Sequence, residues 1–229
     1  MGASAGGLEA FEELFRNIPP DSGMAFVLVS HLDPDHTSML TEILQRNTAM
    51  PVFEAQDQMK VAPNCVYAIP PNRDMVIFNG ALQLSAPDMP RGQRMVIDAF
   101  LRSLADDRGE QAVGIILSGT GTDGTLGLRA ILGPGGISLV QEPASAKYDG
   151  MPASAIGAGY ATHILPPENI PVIFVTAMTG KDARIRGLEL GAVDFVTKPI
   201  DPDVLKPRVR NFMRYVEHNF CRETSHHCP

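Results

Sequence analysis

Three side chains in this sequence have the types and the placement for nucleophilic catalysis. Ser4 lies in Gly2-Ala-Ser-Ala-Gly6, a G-x-S-x-G pattern whose small neighbours permit a sharp turn and expose the hydroxyl. His31 directly follows the apolar run at 25–30. Asp123 lies in Ser118-Gly-Thr-Gly-Thr-Asp-Gly124, after the apolar run at 112–117. A serine hydroxyl needs a base, and a neutral imidazole needs a carboxylate to fix its tautomer; these residues supply nucleophile, base and orienter. Each alone has a plainer role. The glycine-rich loop can cradle a phosphate or simply turn, His31 can be an exposed loop histidine, and Asp123 can cap the helix that follows it. Placed together at the carboxyl ends of separate strands they make a site, because ligands of open α/β sheets bind there. The order Ser-His-Asp differs from the Ser-Asp-His of α/β-hydrolases, so a different fold is expected.

The elements that must position these residues are legible as apolar runs alternating with helical patterns. Leu8, Phe11, Leu14, Phe15 and Ile18 mark an amphipathic helix over 7–18, stopped by Pro19-Pro20. Residues 25–29 form a continuous apolar run, as in a strand buried on both faces. Thr37 can cap a helix whose core face is Leu40, Ile43 and Leu44. Short strands are expected at 65–69, 75–78 and 81–84, with Asn79-Gly80 as a hairpin turn between the last two. A helix over 94–105, a strand over 112–117, a helix over 125–132 ended by Gly133-Pro134-Gly135 and a strand over 137–140 complete the series. The alternation predicts an α/β fold: a doubly wound, mostly parallel sheet with helices on both faces. Pro166-Pro167 through Pro171 marks a boundary, giving expected domains at 1–169 and 170–229. The second holds strands at 172–175 and 192–196 and helices at 181–190 and 203–217, too little to bury a doubly covered sheet by itself.

Composition narrows the functions available. The 229 residues are 44% hydrophobic and 20% charged, a globular mix that can bury a core without disulfide staples. The three cysteines, Cys65, Cys221 and Cys228, are odd in number and widely spaced, which points to a reducing compartment. There is no apolar run of the roughly 20 residues a membrane helix needs and no secretory signal pattern, so a cytoplasmic protein without membrane insertion is expected. Residues 1–170 carry 10 Lys+Arg against 19 Asp+Glu, whereas 171–229 carry 9 against 7. An acidic body without Trp argues against nucleic-acid binding.

At this point the motifs resemble a known family. Gly2-Ala-Ser-Ala-Gly-Gly7, Val29-Ser-His-Leu-Asp-Pro-Asp-His36, Ile69-Pro-Pro-Asn72, Leu117-Ser-Gly-Thr-Gly-Thr-Asp-Gly124 and Ala146-Lys-Tyr-Asp-Gly-Met-Pro152 resemble, in order and over about residues 1–170, the catalytic domain of CheB-type protein-glutamate methylesterases. The His-Leu-Asp-Pro-Asp-His wording is similar to the version in fused methylesterase–methyltransferase sensory proteins. The resemblance implies hydrolysis of glutamate methyl esters, with deamidation of certain glutamines in related enzymes. Its implied substrates are the cytoplasmic helices of methylated chemoreceptors, and its implied partners a histidine kinase or a methyltransferase. Carried over, Ser4 is the nucleophile, His31 the base and Asp123 its partner; backbone N–H groups after Ser4 and in 119–122 would hold the oxyanion. No cofactor or metal is implied.

The chain also departs from the family. An apolar strand normally feeds the Gly2–Gly7 loop, and here only Met1 precedes it; the expectation is a gap at the centre of the sheet and a poorly supported Ser4. Thr120 stands where the family usually has Met. Val172-Ile-Phe-Val-Thr-Ala177 and Gly191-Ala-Val-Asp-Phe-Val-Thr-Lys-Pro199 resemble the last two βα units of a response-regulator receiver domain, with Thr176 matching its switch Thr and Lys198 its characteristic Lys. Asp182 and Asp194 do not match its phosphorylated position. These departures keep open a catalytically impaired module of the same fold that binds a receptor or kinase. A nucleotide-binding regulator using the Gly2–Gly7 loop is the third reading, and it lacks a complete phosphate-loop signature. Lys147, Tyr148 and Asp149 are expected to border the site. Asp33, Asp35 and His36, and separately His218, Cys221, His226, His227 and Cys228, have metal-ligand types; a helix-start loop and a frayed terminus are the plainer readings.

Overall fold

Ala10, Phe11, Leu14 and Phe15 recur at helical spacing and are all buried along α1 (Gly7–Arg16), where Phe15 meets Phe26 edge-to-face at 5.5 Å. Continuous apolar runs become β2 (Ala25–Ser30), β8 (Val113–Ile116) and β9 (Ile137–Gln141), each buried over most of its length. The computed structural model describes residues 1–30, 37–90, 92–170, 174–176 and 195–197.

The seven-stranded sheet has the order β10 (His163–Leu165), β9, β8, β1 (Gly2–Ala3), β2, β5 (Cys65–Ala68) and β3 (Val52–Glu54). Every pairing in it is parallel. From the central β1 the chain winds outward through β2 on one side and later through β8 on the other, so the expected doubly wound sheet is the one found. Successive strand residues point to opposite faces. A Cβ added to Gly2 would run into Ile97 of α3 (Val96–Arg108). The methyl of Ala3, on the other face, lies against Gly7 of α1. Helices therefore cover both faces, α1 beside α2 (Thr37–Asn47) on one and α3 beside α4 (Thr125–Leu132) on the other.

Sequence reasoning leaves Ser4 without a strand to feed it. In the structure β1 is two residues long, yet its surroundings hold it on both sides. The Met1 amine donates to Val27 O at 2.7 Å. Val29 N donates to Met1 O at 2.9 Å, Leu117 N to Gly2 O at 2.9 Å and Ser4 N to Ser118 O at 3.0 Å. Met1, Ala3 and the flanking strand residues are buried. Ser4 is thus tied to the sheet rather than left on a loose end, although β1 reaches only Ile116 of β8.

A second, antiparallel sheet of β4 (Met59–Lys60), β7 (Ala81–Ser85) and β6 (Asp74–Phe78) carries the expected hairpin. Asn79 and Gly80 have φ of 49° and 72°, the left-handed pair a two-residue type I′ turn requires. The Asp107 carboxylate accepts from Gly80 N, 3.3 Å from each oxygen, and pins the turn to the end of α3. Sequence patterning gives no sign of β3, β4 or β10, which are too short to show a period, or of α5 (Gly150–Gly157), whose mostly small residues form no apolar stripe.

Residues 1–20 and 24–170 form one compact unit; residues 21–23 and 171–229 form another. Within the second, β11 (Phe174–Thr176) and β12 (Phe195–Thr197) make a two-stranded parallel sheet of their own. The helices expected at 181–190 and 203–217, and the histidines and cysteines near the C-terminus, lie outside the described residues.

Candidate functional site

Ser4, Ala5, Gly6 and Gly7 form a tight turn between β1 and α1, closed by Gly7 N donating to Ser4 O at 2.9 Å. The third residue of a type II turn needs positive φ, and Gly6 supplies it at 71°. The sequence pattern suggests that Ser4 sits on the sharp bend, but the left-handed residue is Gly6; Ser4 keeps φ below zero and continues the strand. Gly6 is also needed for space, since a Cβ there would lie 2.7 Å from Ser118 Oγ and 2.8 Å from Lys147 Cβ.

The Ser118 hydroxyl fastens three loops around Ser4. It donates to Ala5 O at 2.9 Å and accepts from Tyr148 N at 3.0 Å. Behind it Gln141, fully buried, accepts from Ser118 N at 2.8 Å and donates to Ser145 O at 3.1 Å. Lys147 reaches back to Glu9 at 2.6 Å; this bond holds the Glu9 carboxyl below its ordinary value and raises the lysine. The 147–149 loop therefore borders the Ser4 turn as expected. Ser118 and Gln141 were not singled out by sequence reasoning. The available signal was a glutamine ending an otherwise apolar run, since a buried polar group must find partners.

Asp123 is buried beyond the carboxyl end of β8. Its Oδ2 accepts from Ile97 N at 3.0 Å, and its Oδ1 accepts from Asp98 N at 2.9 Å and Gly124 N at 2.8 Å. The plainer reading had Asp123 capping the helix after it; its two cross-element bonds go instead to the first turn of α3. His31, Asp33, Asp35 and His36 lie outside the described residues; of the three candidates the structure describes Ser4 and Asp123, which follow the neighbouring strands β1 and β8. Ser30, the last residue of β2, lines a cavity of about 130 Å³ with Ser4, Gly7, Leu8, Phe11 and Leu40. Its hydroxyl is buried and has no hydrogen-bond partner among the described residues.

One oxyanion expectation is corrected. Gly119 N already donates to Tyr148 O at 2.9 Å, so the backbone candidates are Ala5 N–H and the exposed stretch 120–122. Gly119 serves by its smallness: a Cβ there would lie 3.0 Å from Ser4 Cβ and overlap Met151 Sδ. Asn72, in the Ile69–Asn72 motif, has φ of 51° and accepts from Arg94 Nη2 at 3.1 Å, a structural role. Among the described residues no group of His, Cys, Asp and Glu has the arrangement of a metal site. No helix among them is long and apolar enough to cross a membrane.

Comparison with known proteins agrees with this architecture. The chain is similar to the protein-glutamate methylesterase/protein-glutamine glutaminase 1 of Xanthomonas campestris pv. campestris, 36% identical over 174 residues, covering 74% of this chain and 48% of that one. It is similar to the protein-glutamate methylesterase FrzG of Myxococcus xanthus, 33% identical over 171 residues, covering 74% and 51%. The chain thus spans about half the length of these curated relatives. Its structure is similar to the crystal structure of the Thermotoga maritima CheB methylesterase catalytic domain, with a TM-score of 0.68 and 29% identity over 74% of this chain and 92% of that one. Residues 151–210 match the response regulator receiver domain, so a fragment of that kind follows the catalytic-type domain. The model of the CheB methylesterase family matches residues 1–173, and the chain belongs to that family.

Proposed function

We propose that this chain hydrolyses the methyl esters of glutamate side chains on the cytoplasmic helices of chemoreceptors, with Ser4 as nucleophile, His31 as base and Asp123 as the residue that orients it. The observation that carries the reading is the topological switch point. Ser4 and Asp123 stand beyond the carboxyl ends of β1 and β8, and His31 follows Ser30, the last residue of β2 on the other flank of β1. In this mechanism Ser4 Oγ attacks the ester carbonyl while His31 takes its proton. The oxyanion is held by Ala5 N–H and the backbone of 120–122. The tetrahedral intermediate collapses, the C–OCH₃ bond breaks, and His31 returns the proton to the leaving methanol. Water, deprotonated by His31, then attacks the acyl-enzyme and releases the glutamate carboxylate. A primary amide presented at the same place would lose ammonia by the same steps, in keeping with the glutaminase activity named for the Xanthomonas relative. A histidine kinase or methyltransferase acting on the same receptor would be a partner.

A second reading, a receptor- or kinase-binding module without turnover, draws on the three backbone amides that Asp123 already accepts, which give it a structural job. Methanol release from a methylated receptor fragment separates the two. Turnover lost in Ser4→Ala, together with fluorophosphonate labelling of Ser4 that disappears in His31→Ala, is the expected result. Binding of the fragment by a folded chain with neither turnover nor labelling would replace the esterase reading with the module.

A further inference from the structure

The helices α3 and α4 begin without side-chain caps of their own. Met95, whose side chain does not bond the first turn, precedes α3, and Gly124, at φ 91° and without a side chain, precedes α4. Unsatisfied N–H groups at a buried helix start must find an acceptor. Here each helix borrows one from the other. Asp123, just before α4, accepts from Ile97 N and Asp98 N in the first turn of α3 at 3.0 and 2.9 Å. Asp98, in that same turn, accepts in return from Gly127 N in the first turn of α4 at 2.6 Å. Both carboxylates are buried, at 4% and 3% exposure, and each sits where the helix dipole favours negative charge.

Close approach of the helices makes the exchange possible. A Cβ on Gly127 would lie 2.7 Å from Leu101 Cβ and 3.1 Å from Asp98 Cα. Asp98 touches neither Ser4 nor the loop at 118–122 in any hydrogen bond described above. Its only ion pair among the described residues is the long one to Arg102, at 3.9 Å. Its placement is that of a group that fixes where α4 starts relative to α3, and hence where the carboxylate of Asp123 stands.

We propose that Asp98 is a positioning residue for the hydrolase: its bond to Gly127 N is the returning half of a reciprocal cap that holds the Asp123 carboxylate at the carboxyl end of β8. This rests on the reading of Asp123 as the partner of His31. Misplacement of a catalytic group by about 1 Å can lower the rate by about a hundredfold, so a small shift of α4 would register in kcat. Asn in place of Asp98 keeps an oxygen for Gly127 N; Ala does not.

The experiment compares Asp98→Ala, Asp98→Asn and Leu101→Ala with the full chain. Leu101 is buried in the same helix contact and bonds neither carboxylate. Expected are a kcat about tenfold or more below wild type for Asp98→Ala with KM within about twofold, near-complete rescue by Asn, and wild-type kcat for Leu101→Ala despite a lowered melting temperature. The proposal is overturned by wild-type kcat in Asp98→Ala, by failure of Asn to rescue, or by an equal kcat loss in Leu101→Ala. Should Asp98→Ala not fold, Asp98→Glu replaces it: the charge is kept but the oxygens move by a methylene, so Glu must be less active than Asn. Amide hydrogen exchange at Ile97 and Asp98 gives a reading that needs no turnover. Protection lost in Asp98→Ala (or Glu) and kept in Asn supports the reciprocal cap, and unchanged protection overturns it. An inactive wild type with Ser4 unlabelled would sink the esterase reading alone, leaving the cap to be judged by exchange.

Discussion

Ser4 owes its position to backbone bonds and to small neighbours. Its N–H is tied to Ser118, its carbonyl closes the turn to Gly7, and Gly119 leaves room for its Cβ. Gly119→Ala should therefore displace the nucleophile more than it destabilises the fold. We expect ester turnover to fall at least about tenfold while the overpacking lowers stability by about 1–3 kcal/mol, checked by kcat and urea unfolding of the same variant. The Lys147–Glu9 pair, 2.6 Å long, predicts the opposite pattern. Both side chains are more than half exposed, and water screens such pairs. Lys147→Met should leave the melting temperature unchanged, and a clear loss would show that the pair holds the loop.

At the scale of elements, holding the two-residue β1 in the sheet buries the Met1 amine beside it. Burial pushes the Met1 amine from its ordinary value of 8.0 down to about 5. Between these values the unfolded chain binds a proton that the folded chain does not, so stability rises with pH from about 5 to about 8. For a chain whose free amine is at Met1, the unfolding free energy from urea titrations should climb across that window, by an amount on the order of a few kcal/mol, and N-acetylation should flatten the climb. The reciprocal cap has the other sign. Desolvation, helped by the nearby Asp123 charge and opposed by the bond from Gly127 N, leaves the Asp98 carboxyl above its ordinary value. A raised acid favours the folded state most below the unfolded value and loses that contribution as pH rises through the folded one. Asp98→Asn lacks this loss, so its stability relative to wild type should improve from pH 4 to pH 7 in paired urea titrations.

For the whole molecule, one apolar layer supports the site from beneath. Phe100 of α3, 1% exposed, packs in the same core cluster as Val29, Ile116 and Leu128, which belong to or follow from the three elements around the switch point. Phe100→Ala should lower unfolding free energy by about 3–5 kcal/mol, measured by urea denaturation, because the cavity cannot fully collapse. Much of this architecture is written locally along the chain. Helical spacing in α1, unbroken apolar runs in β2, β8 and β9, and Asn79-Gly80 are local physics: periodic burial and φ above zero leave marks that need no partner to be read. The residue types at Ser4 and Asp123, and the place of Asp123 after a strand, were equally legible. Tertiary structure alone decided how a two-residue β1 is held, which amides Asp123 accepts, and that Gly119 N is taken by Tyr148. The short β3, β4 and β10 were hidden for the same reason. Hydrogen bonds and close packing between residues distant in sequence, such as Asp98 with Gly127, leave no periodic trace; they exist only once the two chain segments have met.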